Sequence, residues 1–191
     1  RQKADPLGGP DPEAQMYPFL RMFKEMARAR QMSPLGLFDT HVSHHMCWPW
    51  DLDPWVELNN GRTLTLFDLG RLPLGHRTGI HAVLKAKGWG MTVAGSSVRY
   101  RRRVTMFSRL VTHSRCLGWD ARFLYTEQSM WKGEECTSQV LIRSAIVSKA
   151  GMVPPVELAR AAGAPPDSPE LPDWVKAWIA ADATRPWPPL R

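Results

Sequence analysis

Residues 49–71 read PWDLDPWVELNNGRTLTLFDLGR. Two carboxylates, Asp51 and Asp53, stand at i and i+2, and Asn59, Asn60 and Gly61 follow just before an amphipathic run. A polar turn that opens a helix lets a carboxylate and free backbone N–H groups face one carbonyl, a geometry suited to acyl transfer. On an extended chain the two aspartates share a side. Pro49, Pro54, Trp48, Trp50 and Trp55 give them a stiff, partly apolar surround. Desolvation in such a place raises a carboxylate pKa, as a base or nucleophile requires. The same residues also suit plain capping of turns and of the helix start, and spacing alone leaves both readings open. Asn59 and Asn60 are expected N-caps. The helix start they cap also offers backbone N–H groups and a positive dipole end to an oxyanion.

Outward from this segment, residues 60–87 predict one long helix, a break marked by Pro73 and Gly75, and a second helical piece. Residues 38–48 are β-leaning and predict a first strand. After Gly88 the pattern turns to period two, with strands expected over 91–104, 107–118, 122–131 and 135–149. Gly118-Trp119-Asp120 and Lys132-Gly133-Glu134 are hairpin signals, so the sheet is expected to be an antiparallel meander. Upstream, Phe19, Leu20, Phe23, Met26 and Ala27 recur at helical spacing over 16–32, closed by Ser33-Pro34. Downstream lies a Pro-rich tail with two short helices, 156–162 and 172–181. In the second, Trp174, Val175, Trp178 and Ile179 share a face that must dock on apolar surface. The expected organisation is therefore a disordered segment 1–15, one α+β domain with its preceding helix over 16–150, and a helical tail 151–191. One sheet wrapped around one long helix buries a face of each.

The chain has 191 residues, 43% hydrophobic and 23% charged, which fits one domain with appendages and a sizeable core. No run of about 18 apolar residues exists, so no membrane span is expected. The segment RQKADPLGGPDPEAQ has no apolar core of the kind a secretory signal needs. Cys47, Cys116 and Cys136 are widely spaced and odd in number, which points to reduced thiols and a cytoplasmic protein. A net charge of +7 favours anionic partners: nucleic acid, an anionic membrane surface or a phosphorylated carrier such as coenzyme A.

His41, His44, His45 and Cys47 invite a metal reading, with His41, His45 and Cys47 on one strand face. No second cluster and no HExxH closes a shell, so no metal is expected. Arg99-Tyr100-Arg101-Arg102-Arg103 reads as a solvated strand end paired with carboxylates rather than a nucleic-acid surface, because no recognition module accompanies it. GxSxG, GxxxxGK[ST] and GxGxxG after a strand are all absent, which sets aside serine esterases, P-loop NTPases and dinucleotide oxidoreductases.

The quoted stretch resembles the hotdog-fold acyl-CoA thioesterases of the 4-hydroxybenzoyl-CoA thioesterase type. The resemblance lies in Asp51-Leu52-Asp53, Asn59-Asn60-Gly61-Arg62 and Asp68-Leu69-Gly70-Arg71. It continues in Gly88-Trp89, Tyr100-Arg101-Arg102, Gly118-Trp119-Asp120 and Phe123, Tyr125, Glu127, Gln128, so that it spans about residues 37–149. It implies a hotdog fold that hydrolyses an acyl-CoA thioester without a cofactor, with Asp53 as base or nucleophile. A backbone N–H at Gly90, next to Trp89, is implied as oxyanion donor, and a site shared between protomers implies a homodimer or a dimer of dimers. The resemblance is nearest to the bacterial thioesterase-like subgroup that carries this DLD…NNGR…DLGR pattern; where that subgroup usually has His and Tyr, this chain has Glu57 and Thr63, and Glu57 becomes a candidate second carboxylate. Trp50, Trp55 and Trp89 are candidates to line an acyl pocket or to be ordinary core. The alternative on the same fold is a non-catalytic module that binds acyl-CoA or acyl-carrier protein.

Overall fold

A computed structural model describes residues 18–189; the segment 1–15, expected to be disordered, lies outside them. Helix α1, Phe19–Gln31, precedes strand β1, His41–Met46, and a single 3-10 turn, Pro49–Asp51. Helices α2, Asn60–Arg77, and α3, Ile80–Lys87, follow. Four long strands come next: β2, Gly90–Tyr100; β3, Arg109–Trp119; β4, Leu124–Lys132; and β5, Glu135–Ser148. A short β6, Gly151–Val153, leads into α4, Pro155–Ala161, and α5, Asp173–Ala183. All strand pairs are antiparallel, in the order β1-β3-β4-β5-β2, with β6 added to β5. The α+β expectation of a sheet curled around a long helix holds, and α2 is that helix.

Two sequence expectations need correction. Helix α2 runs through Pro73 and Gly75, both buried inside it, and ends instead at Thr78. Gly79, at φ +76°, takes the left-handed position that terminates a helix and that a residue with a Cβ resists. Burial of the Pro73 face holds the helix together across the one bond that proline cannot make. Secondly, the four long strands are not a meander. β3, β4 and β5 are joined in sequence, but among the described residues β2 pairs only with β5, at the far edge. In the loop 101–108 between β2 and β3, Arg101 and Arg102 N–H still donate to Thr137 O on β5, and the residues beyond them turn to the segment around the DxD. Leu58 N–H donates to Val104 O, Cys47 N–H to Ser108 O and Phe107 N–H to Cys47 O.

The inner sheet face meets α2 through Leu66, Phe67 and Leu69, which pack with Leu110, Met130, Val140 and Ile142. Helix α1 lies beside α2, with Met22 against that same core. On the outer face, Val175, Trp178 and Ile179 of α5 pack on Tyr125 and Leu141. Trp174, predicted to dock with them, stays 44% exposed. The Arg143 guanidinium locks α5 in place, lying over the Phe123 and Trp178 rings at 4.8 and 5.0 Å and pairing with Asp182 at 2.8 Å. Among the described residues no helix is long and apolar enough to cross a membrane.

Candidate active site

The two aspartates of the DxD occupy opposite environments. Asp51 is 1% exposed. Its carboxylate accepts both hydrogen bonds of one Arg21 nitrogen, at 2.8 and 3.1 Å, and one from Trp48 N–H at 3.0 Å. Arg62 Nε stands 3.9 Å away, and the Asp51 carbonyl accepts from Asn59 N–H. Both oxygens of Asp51 are thus held in structural contacts. Asp53 heads a small hairpin closed by the Leu52–Leu58 bridge and by Asp53 N–H donating to Glu57 O at 2.8 Å. One of its oxygens, Oδ1, accepts from Trp55 N–H at 2.9 Å and, weakly, from Glu57 N–H at 3.4 Å. Among the described residues Oδ2 has no hydrogen-bond partner, and it is the open face of the carboxylate. At the tip, Val56 is held at φ +59°, a costly conformation for a β-branched residue.

Beside this hairpin lies a cavity of about 240 Å³ lined by Glu57, Asn60, Thr63, Tyr100, Arg101 and Ser138, among others. Asn59 caps α2 as the sequence predicts, its Oδ1 accepting from Gly61 and Arg62 N–H. Those two N–H groups are therefore not free for an oxyanion. Asn60 reaches the cavity wall, and its carbonyl accepts from the Tyr100 hydroxyl at 3.2 Å. Thr63, 3% exposed, turns its hydroxyl back onto the Asn59 carbonyl. Glu57 is ion-paired with Arg103, and Arg102 pairs with Glu135 at 2.6 Å, so the arginine run meets carboxylates as expected.

Gly90 does not meet Asp53 within one protomer. It opens β2, whose other end, Tyr100, borders the Asp53 hairpin. The ten steps between them span roughly 33 Å at about 3.3 Å per residue. Trp89 packs with Ile80, Leu84 and Ile146 at that far end, so it is core there and not a wall beside Asp53. Trp50 and Trp55 are 59% and 72% exposed, Trp50 stacking on Trp48 at 5.3 Å, and neither lines the cavity beside the hairpin.

A second, more apolar cavity of about 190 Å³ lies near Gly90, between α3 and the sheet. Leu74, Ile80, His81, Leu84, Met91 and Val93 line it. Burial, aided by the charge of His76, lowers the His81 pKa, so its imidazole is neutral at pH 7. Sequence reasoning missed His81, which looks like any polar position of an amphipathic helix.

The histidines of β1 have ordinary partners. Arg77 donates to His41 Nδ1 at 2.9 Å, and His45 Nε2 meets Ser43 Oγ at 2.9 Å, while His44 points outward. Burial lowers His41 to about 4 and His45 to about 3. Among the described residues no three His, Cys, Asp or Glu side chains converge as a metal site. Burial also pushes the Cys47 and Cys116 thiols up to about 11 and about 12, so neither is a nucleophile at neutral pH. The DLGR stretch builds a buried polar brace instead. Arg71 pairs with Asp68 and donates to Gln128 Oε1 at 2.9 Å. The Gln128 amide nitrogen donates to Phe67 O and Ser114 Oγ at 2.7 and 2.8 Å.

Residues 47–179 match a family model described as the thioesterase-like superfamily. Among curated proteins, Protein THEM6 of Xenopus laevis is 28% identical over 145 residues, covering 75% of this chain and 69% of that protein. Among solved structures, YbaW, a probable thioesterase from Escherichia coli, superposes with a TM-score of 0.60 at 16% identity, covering 63% of this chain and 95% of that one. Slr0204, a 1,4-dihydroxy-2-naphthoyl-CoA thioesterase from Synechocystis, does so with a TM-score of 0.56 at 8% identity, covering 65% and 95%.

Proposed function

The chain belongs to the thioesterase-like superfamily, and from that membership we propose that it hydrolyses an acyl-CoA thioester with Asp53 as the acting carboxylate. The observation that carries this choice is the division of labour in the DxD. Asp51 is buried and hydrogen-bonded by Arg21 and Trp48 N–H, whereas among the described residues Asp53 Oδ2 has no hydrogen-bond partner. As a base, Asp53 takes a proton from a water whose oxygen adds to the thioester carbonyl; the C–S bond then breaks and the thiolate leaves with that proton. As a nucleophile, its oxygen adds directly, the thiolate leaves, and water hydrolyses the resulting anhydride. The negative carbonyl oxygen needs a donor in either case, and Asn59 has already taken the nearest helix N–H groups.

A homodimer supplies that donor. Among the described residues β2 is an edge strand with β5 as its one neighbour, and its residues are mostly exposed. Antiparallel pairing of two β2 strands about their midpoint sets the Gly90 end of one beside the Tyr100 end of the other. Asp53 of one protomer then faces Gly90 of the partner subunit, with the apolar cavity at Met91 and Val93 next to it for the acyl group. Oligomer closure also protects an exposed edge. On this reading the protein works in the cytoplasm on an anionic, CoA-borne substrate, in keeping with its +7 charge.

The second reading is a binding module without turnover. The observation favouring it is that Glu57, where the resembling subgroup usually has His, is tied up in an ion pair with Arg103. Thiol release from a panel of short, long and aromatic acyl-CoAs separates the two. Release by the wild type on at least one of them is expected; saturable binding with no release on any supports the module.

A further inference from the structure

Helix α1 lies before the stretch that the family shares, yet it reaches into the DxD turn through one side chain. Arg21 Nη1 donates to both Asp51 oxygens, at 3.1 and 2.8 Å, and Nη2 donates to the Met46 carbonyl at the end of β1 at 2.9 Å. The guanidinium thus spans the end of β1 and the start of the hairpin that carries Asp53, with only 18% of the side chain and 2% of its partner's exposed. Asp51 passes this on: its backbone carbonyl holds Asn59 at the start of α2, and its carboxylate holds Trp48 N–H. Both legs of the Asp53 hairpin therefore hang on Asp51. The tip of that hairpin is itself strained, with Val56 at φ +59°, and needs its legs fixed to keep one conformation.

We propose that Arg21 is a positioning residue for the reaction assigned to Asp53, so that docking of α1 sets the aim of the catalytic carboxylate. The inference rests on that assignment. A guanidinium suits this place because its two terminal nitrogens divide the work, Nη1 on the Asp51 carboxylate and Nη2 on the Met46 carbonyl. A lysine has one nitrogen, which takes the place of Nη1 on the carboxylate but leaves the Met46 carbonyl without its donor. Displacements of about 1 Å at a catalytic group lower rates by about 100-fold.

The test is a double-mutant cycle of Arg21→Met and Asp51→Asn, with Arg21→Lys beside it, read as kcat and KM on the best acyl-CoA and as urea stability. Each single change leaves a buried group without its partner and lowers stability, while the double variant removes both charges and recovers most of it. Positioning predicts that kcat stays about 10- to 100-fold down in the double variant with KM little changed, and that Lys restores only part of it. Recovery of kcat along with stability in the double variant overturns the proposal, as does full activity in Arg21→Lys. A wild type that releases no thiol overturns the thioesterase reading and this inference together, whereas an active wild type with an unaffected Arg21 series overturns this inference alone.

Discussion

Helix α2 lies so close on the sheet that a Cβ built on Gly70 would stand 2.9 Å from the Ser114 hydroxyl oxygen and 3.1 Å from that of Ser43. Glycine is what brings the DLGR turn down onto the Gln128 brace. Gly70→Ala is expected to lose about 1–3 kcal/mol in urea denaturation through overpacking of a fixed core. A loss below about 0.5 kcal/mol, within the range of ordinary surface changes, would mean that the helix shifts freely and the brace does not fix its height.

Val56 sits at φ +59° with its side chain 62% exposed. Removing the side chain relieves backbone strain and gives up little burial. Val56→Gly is expected to raise stability by about 1 kcal/mol while loosening the Asp53 hairpin, so that kcat falls as the melting temperature rises. A drop in both would show that the Val56 side chain contributes packing instead.

Acid stability follows from β1. Burial first, then the charge of Arg77 for His41 and of Arg21 for His45, hold these imidazoles at about 4 and about 3 in the folded state. The unfolded chain protonates them near pH 6.5, so it binds protons that the folded state refuses. Their contribution is intact above about pH 6.5 and is lost as pH falls toward 4 and 3, at up to about 1.4 kcal/mol per pH unit for each imidazole. Glu25, whose carboxyl burial pushes up, acts with the opposite sign and offsets part of this slope. Urea stability of the wild type and His45→Gln from pH 7.5 to pH 4 is the check, and the variant's curve is expected to be the flatter one.

The proposed site shared between two protomers makes a prediction of its own. Asp53→Asn and Gly90→Pro each remove one half of it, the carboxylate or the donor N–H. Mixed and refolded together in equal amounts, they form about half heterodimers, each with one intact site, and recover about a quarter of wild-type activity. Size-exclusion chromatography of the same samples is expected to give a dimer. No recovery from two folded variants would put Asp53 and Gly90 in separate sites.

Much of this was legible where local chemistry decides structure. Asn59 as a cap and the hairpins at Asp120 and Gly133 rest on residues within a few positions of each other, whereas spacing does not choose between Asp51 and Asp53, and that choice comes from the family resemblance. Long-range pairing was not legible. Nothing in the period-two pattern of β2 says that it joins β5, because an edge strand and a central strand alternate alike, and the loop 101–108 declares itself only through its bonds to Cys47 and Leu58. Pro73 misled for a related reason, since tertiary burial outweighs one missing backbone bond. Arg21 lies thirty residues from Asp51, and no spacing rule connects a helical arginine to a turn that far downstream. Gln128 likewise reads as one more polar strand residue until the sheet closes over it.

The claim on which the rest depends is that the open Asp53 carboxylate turns the substrate over. Its most direct measurement is thiol release from one acyl-CoA substrate by the wild type and by Asp53→Asn, both shown to be folded and to bind that substrate. The account predicts a fall in kcat of about 10²- to 10⁴-fold for the variant with binding retained. Equal rates in the two proteins would contradict it.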